Sequence, residues 1–85
     1  MKELRWSAEK SAWLKVARGL SFEEITRGRL LDVRQNPNRV NQQIILYEID
    51  GYIWVVPFVE VDDIWFLKTS YPNRKYTREY NEDQL

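Results

Sequence analysis

Gln43-Ile44-Ile45-Leu46-Tyr47-Glu48-Ile49, then Asp50-Gly51, then Tyr52-Ile53-Trp54-Val55-Val56-Pro57-Phe58-Val59 is the stretch that decides how this chain folds. β-Branched and aromatic residues fill both runs, and Asp-Gly accepts the positive φ angles of a type I′ hairpin turn. With Asp50 and Gly51 as the turn, Ile49 faces Tyr52, Tyr47 faces Trp54 and Ile45 faces Val56. A short acidic turn leads to a third run, Ile64-Trp65-Phe66-Leu67-Lys68-Thr69. Pairing Val59 with Ile64 brings Trp65, Leu67 and Thr69 onto the face of Tyr47 and Trp54. That face is uncharged and is assigned to the core. The opposite face carries Ile44, Leu46, Ile53 and Val55 together with Glu48, Pro57 and Lys68, and is expected to be at least partly open to solvent or to a partner. Pro57 conflicts with a central-strand position because it has no N–H to donate. Either the strand bulges there or its pairing with the third strand stops short.

Outward from this hairpin, Leu4-Arg5-Trp6 reads as a short edge strand. Ser7 reads as the N-cap of a helix over about Ala8–Arg18, with Glu9 in the first turn and Gly19 as a left-handed terminator. Ala12, Trp13 and Val16 are spaced to share one face of that helix. Ser21 and Glu24 form a capping box, with Leu20 and Ile25 as the accompanying hydrophobic staple, so a second helix starts here. Gly28 keeps it brief. Leu30 to Val33 reads as a strand and Gln35–Arg39, containing Asn-Pro-Asn, as a loop. After Ser70, Tyr71-Pro72-Asn73 breaks the third run, and Asn73 caps a last helix over Arg74 to about Asn81. Tyr76 and Tyr80 lie one turn apart on it, as do Arg74 and Arg78. The fold class is α+β, with a small antiparallel meander, two N-terminal helices and a short C-terminal helix. Residues 1–85 make one domain.

The chain has no Cys and no His, which removes imidazole chemistry and most transition-metal sites. No cofactor and no metal site is expected. No apolar run approaches a membrane span or a signal peptide, so a cytoplasmic location and no membrane association are expected. The 13 basic and 13 acidic residues cancel, but they are segregated. Residues 1–40 balance at +4, residues 41–67 at −5 and residues 68–85 at +1. Between Lys68 and Arg78 there are four cations and no anion. Such local patches, rather than net charge, set what a phosphate backbone encounters.

Trp6, Lys10, Gly19 and the block Leu20-Ser21-Phe22-Glu23-Glu24 resemble the opening of BrnT-type toxins, in which a Trp is followed four residues on by a Lys and then by Gly-Val-Ser-Phe-Glu-Glu. The ending, Arg74-Lys75, Thr77-Arg78 and Tyr80, is similar too. The resemblance implies a RelE-like fold and the toxin of a bacterial type II toxin–antitoxin pair. It implies a metal-independent endoribonuclease acting on RNA, including ribosome-associated mRNA, and a cognate antitoxin protein that silences it. The chain departs from the family pattern at Leu14, where relatives commonly have Asn, and at Arg18, where many have His. Its central strands are also more apolar.

RNA carries its own nucleophile, the 2′-hydroxyl, so a protein needs chiefly to align it and to stabilise the charge that develops on phosphorus. Lys68, Arg74 and Arg78 are expected to supply that charge. Arg18 and Lys75 are expected as further RNA contacts, and Tyr71 or Tyr76 as a base-stacking platform. The competing class is a non-catalytic protein- or RNA-binding module, a degenerate toxin whose apolar sheet is covered by a partner. Asp62-Asp63 reads as a turn former rather than as an acid–base or metal pair.

Overall fold

The computed structural model describes residues 2–85. In chain order the elements are β1 (Glu3–Arg5), α1 (Ala8–Arg18), α2 (Phe22–Ile25), β2 (Arg29–Gln35), β3 (Gln43–Ile49), β4 (Tyr52–Val61), β5 (Ile64–Leu67), β6 (Tyr71–Pro72) and α3 (Arg74–Asn81). The strands form one sheet in the order β1-β5-β4-β3-β2, with β6 also on β4. β2 to β5 are the expected antiparallel meander, and β1 adds a parallel edge beside β5. The architecture is α+β. No helix among the described residues is long and apolar enough to cross a membrane.

The hairpin register is the one read from the sequence: Ile49 opposite Tyr52, Tyr47 opposite Trp54, Ile45 opposite Val56. Asp50 and Gly51 both take positive φ, 52° and 84°, as a type I′ turn requires. The third strand is shifted from its expected register. Ile64 pairs with Val61 rather than with Val59, across a two-residue turn made by Asp62 and Asp63. Asp62 adopts the left-handed conformation there (φ 56°). A slip of two residues preserves the side-chain alternation, so Leu67 still reaches the core face and Trp65 packs against it.

Pro57 is resolved without a bulge. It sits opposite Ile44 in the β3–β4 ladder, while its carbonyl accepts the Lys68 N–H at 2.8 Å on the other edge. The N and C=O of one residue in an antiparallel strand point to the same side, so the missing donor faces the edge where β5 has just ended. The β4–β5 ladder stops at Phe58–Leu67, and β6 takes over at Val55–Tyr71. Pro57 occupies the gap between two partners.

Two buried clusters sandwich the sheet. Tyr47, Trp54, Val56 and Phe58 pack with Leu14 of α1 and with Phe22 and Ile25 of α2. The capping box of α2 is complete, with Ser21 Oγ accepting from Glu24 N at 3.2 Å and Glu24 Oε1 accepting from Ser21 N at 3.0 Å. Leu20 and Ile25 belong to the same cluster. The face of α1 that packs is not the expected one. Ser11 and Leu14 are buried, whereas Ala12, Trp13 and Val16 are exposed. Ser11 tolerates burial because its hydroxyl accepts from Phe22 N at 2.9 Å and donates to Glu23 Oε1.

The opposite face is closed, contrary to the sequence-based expectation. Ile44, Leu46, Ile53 and Val55 are at most 2% exposed. Tyr71, Tyr76 and Tyr80 cover them, so the aromatic stripe of α3 serves as the lid of a second core. Asn73 caps α3, accepting from Tyr76 N at 2.8 Å. Thr77 binds the helix to the sheet: its Oγ1 accepts from Ile53 N at 2.9 Å and donates to Asn73 O at 2.7 Å.

Two substitutions test this packing. Trp54→Ala should lower stability by on the order of 3–5 kcal/mol in denaturant unfolding, and an unchanged midpoint would reverse the face assignment. Thr77→Val keeps the shape but orphans the Ile53 N–H. It should cost about 1–3 kcal/mol, with accelerated hydrogen exchange at Ile53 as its local signature.

Candidate functional site

The chain between β5 and α3 leaves the sheet at Lys68 and returns at Tyr71, opposite the loop that joins β2 to β3. That loop is internally braced. Asn36 N donates to Gln42 O at 3.1 Å, Asn36 Oδ1 accepts from Asn38 N at 2.9 Å, and Gln35 Nε2 reaches Val40 O at 2.7 Å. Between these segments lies a cavity of about 410 Å³ whose wall includes Arg39, Lys68, Thr69, Tyr71 and Pro57. A second cavity of about 300 Å³ shares Asn36, Asn38 and Tyr71 with the first and extends to Lys75 and Tyr76. The two adjoin as a cleft at the residues they share, Asn36, Asn38 and Tyr71.

The lining contains Arg39, Lys68 and Lys75 and no carboxylate. The nearest element on the α1 side is Arg18, whose Nη1 donates to Thr69 Oγ1 at 3.1 Å and to Ser70 O at 2.6 Å. Arg18 therefore closes the rim rather than lying apart from the site. Lys68 is exposed, with its ammonium 5.6 Å from the Phe66 ring centroid. Tyr71 is half-buried, and desolvation holds its phenol above the ordinary range. No hydrogen bond within the described residues engages the Tyr71 hydroxyl. Among the described residues, no group of three or more His, Cys, Asp or Glu is placed to hold a metal ion.

Of the residues singled out from sequence, Lys68, Tyr71, Lys75 and Tyr76 line the cleft and Arg18 borders it. Arg74 and Arg78 line neither cavity; both are exposed on the helix whose other side packs on the sheet. Tyr76 is committed to the second core, with the Arg34 guanidinium carbon 5.4 Å from its ring centroid. Its face is less free for a base than that of a surface tyrosine. Arg34 is in turn held by Asp32 at 2.7 Å. Sequence reasoning missed Arg39, Asn36 and Asn38. The Asn-Pro-Asn-Arg segment reads as a loop, and loops carried on rigid strands often hold function. What periodicity could not reveal is that this loop faces Lys68.

No protein-family model matches the sequence, and no curated protein matches it. Among solved structures, the chain is similar to the 1.1 Å crystal structure of the Brucella abortus ribonuclease toxin BrnT, with a TM-score of 0.57. The match covers 86% of this chain and 97% of that one at 16% identity. The BrnT-like fold implied by the sequence motifs is thus present, and at this identity the likeness is one of fold.

Burial of Tyr71 carries a pH signature. Its folded-state pKa lies above the unfolded value of about 10, so nothing is lost below that value, and stability falls as pH rises through the folded one. Tyr71→Phe should therefore move alkaline unfolding to higher pH and remove one late component from the phenolate absorbance titration. A shift to lower pH would contradict the assigned burial.

Proposed function

We propose that this chain is an endoribonuclease toxin that binds RNA in the cleft between Arg39, Lys68, Tyr71 and Lys75 and cleaves it by attack of a 2′-hydroxyl on the adjacent phosphate. The observation that carries this reading is a cleft bearing three cations and no carboxylate in a chain with no net charge. In the step, the 2′-oxygen forms a bond to phosphorus while the bond to the 5′-oxygen breaks, leaving a 2′,3′-cyclic phosphate and a 5′-hydroxyl. The 2′-hydroxyl proton passes to solvent, and Tyr71, a phenol and so neutral at physiological pH, donates a proton to the departing 5′-oxygen and regains one from solvent. Lys68 and Arg39 stabilise the charge on the non-bridging oxygens, the strongest rate enhancement open to a site without imidazole. Lys75 holds a flanking phosphate. Arg74 and Arg78, outside the cavities, act at longer range and are more exposed to screening by salt.

The toxin reading brings with it an antitoxin protein that covers this cleft, and action on RNA in the cytoplasm. The non-catalytic alternative drew its support from an apolar sheet covered by a partner rather than by the two short N-terminal helices. Leu14, Phe22 and Ile25 of those helices pack on that sheet, and α3 covers its other face.

The test is cleavage of a single-stranded RNA by the purified chain in the presence of a chelator, beside the same oligonucleotide carrying one 2′-deoxy substitution at the cut site. Cleavage of the first and not of the second, with a cyclic phosphate product, is expected. Lys68→Ala with Lys75→Ala should abolish cleavage and lower the salt slope of binding by about one for each phosphate no longer neutralised. Arg74→Ala with Arg78→Ala should slow cleavage modestly at low salt and leave it unchanged at high salt, where screening has already removed their contribution. Dependence on a divalent cation, or cutting of the deoxy-substituted strand, would overturn the mechanism.

A further inference from the structure

The face of α1 that packing leaves outside carries Trp13, half exposed at 50%, and Val16, 88% exposed. An indole this open on a small domain is not explained by the core, which takes Ser11 and Leu14 instead. Two cations attend its ring. The Lys10 ammonium lies 4.5 Å from the ring centroid and the Arg18 guanidinium carbon 5.4 Å from it. Arg18 is also the residue whose Nη1 reaches Thr69 Oγ1 and Ser70 O on the cleft wall. A single guanidinium group therefore separates the exposed indole from the site proposed for the scissile phosphate. An aromatic face with cations beside it, next to a phosphate-binding groove, has the composition of a single-strand stacking platform: the ring takes a base and the cations take the backbone.

We infer that Trp13, flanked by Lys10 and Arg18, is a subsite for an unpaired base of the RNA strand that continues out of the cleft past Thr69. The inference rests on the RNA-cleaving reading and extends it from RNA in general to a single-stranded substrate engaged outside the scissile step. Lys10, a cation on a flexible stem, gives way to the incoming base and pairs with its phosphate. Arg18 stays anchored to the loop and sets the spacing between the stacked base and the cleft. A duplex cannot use the platform, since its bases are already stacked on one another.

The experiment uses the full chain and a 2′-O-methyl oligoribonucleotide, which lacks the nucleophile and so reports binding alone. Trp13 is the most exposed of the chain's four tryptophans, so it dominates the fluorescence that a soluble quencher reaches. The oligonucleotide should protect that component. Trp13→Ala should weaken binding roughly tenfold, the loss expected of one stacked base, without changing the salt slope, because every cation that meets a phosphate is still in place. Trp13→Phe should restore most of the affinity, and neither variant should alter circular dichroism, the side chain being outside the core. If Trp13→Ala binds as tightly as the parent while Lys68→Ala does not, the subsite is refuted and the cleft reading stands. If neither substitution matters, or no oligonucleotide binds, both are refuted. If the parent self-associates and Trp13→Ala abolishes that while oligonucleotide affinity is unchanged, the strip is a protein contact and the inference is overturned.

Discussion

The absent N–H of Pro57 organises one whole side of this molecule. β4 has a continuous partner in β3, but on its other edge no ladder can run through a residue that offers only an acceptor. β5 ends there, Lys68 N closes onto the Pro57 carbonyl, and the chain leaves the sheet for three residues before returning as β6. That departure forms part of the wall of the cleft, with Pro57 itself in the lining. It also places Asn73 where its N–H bonds to Ile53 O at 2.9 Å, so that α3 starts in register with the sheet edge.

Electrostatics then follow from geography rather than from totals. The acidic residues of the central segment are concentrated at the hairpin turns, at Asp50, Asp62 and Asp63. Lys2 partly neutralises the second turn, lying 3.2 Å from Glu60 and 3.3 Å from Asp63. With 40% of the Lys2 side chain exposed, these pairs add little stability. Glu23 and Glu24, whose carboxyls lie below the usual range through the Ser11 hydroxyl and the Ser21 N–H respectively, are occupied in joining α1 to α2. Both helix-joining carboxylates support the fold most fully above the ordinary glutamate range, and that support is lost as acid protonates them.

The face of α1 that packs and the face left outside are the reverse of what hydropathy alone indicates. A buried Ser11, satisfied by Phe22 N and Glu23, allows the helix to approach α2 closely and to insert Leu14 into the core. The apolar trio Ala12, Trp13 and Val16 is thereby turned outward. Gly28 serves a similar close approach on the far side of α2: a Cβ there would lie 2.7 Å from Ile49 Cγ1 and 3.0 Å from Glu48 O. At these two points it is a small residue that lets the elements come close.

Local signals in the sequence were sufficient wherever the deciding interaction spans only a few residues. The Asp50-Gly51 turn, the Ser7, Ser21 and Asn73 caps, and the bounds of α1 and α3 are all settled by dihedral preference and side-chain-to-backbone bonds within a turn or two. The hairpin faces are settled as well, because strand alternation has a period of two. The cations and tyrosines of the cleft were legible as a basic, aromatic segment, though not as a site. Tertiary structure alone decided the rest: which face of α1 packs, that α3 closes the second sheet face, that the β2–β3 loop brings Arg39 to Lys68 while Arg74 and Arg78 stay outside. Those outcomes depend on contacts between residues far apart in the chain, where the free energy of a face is set by what it meets and not by what it is made of.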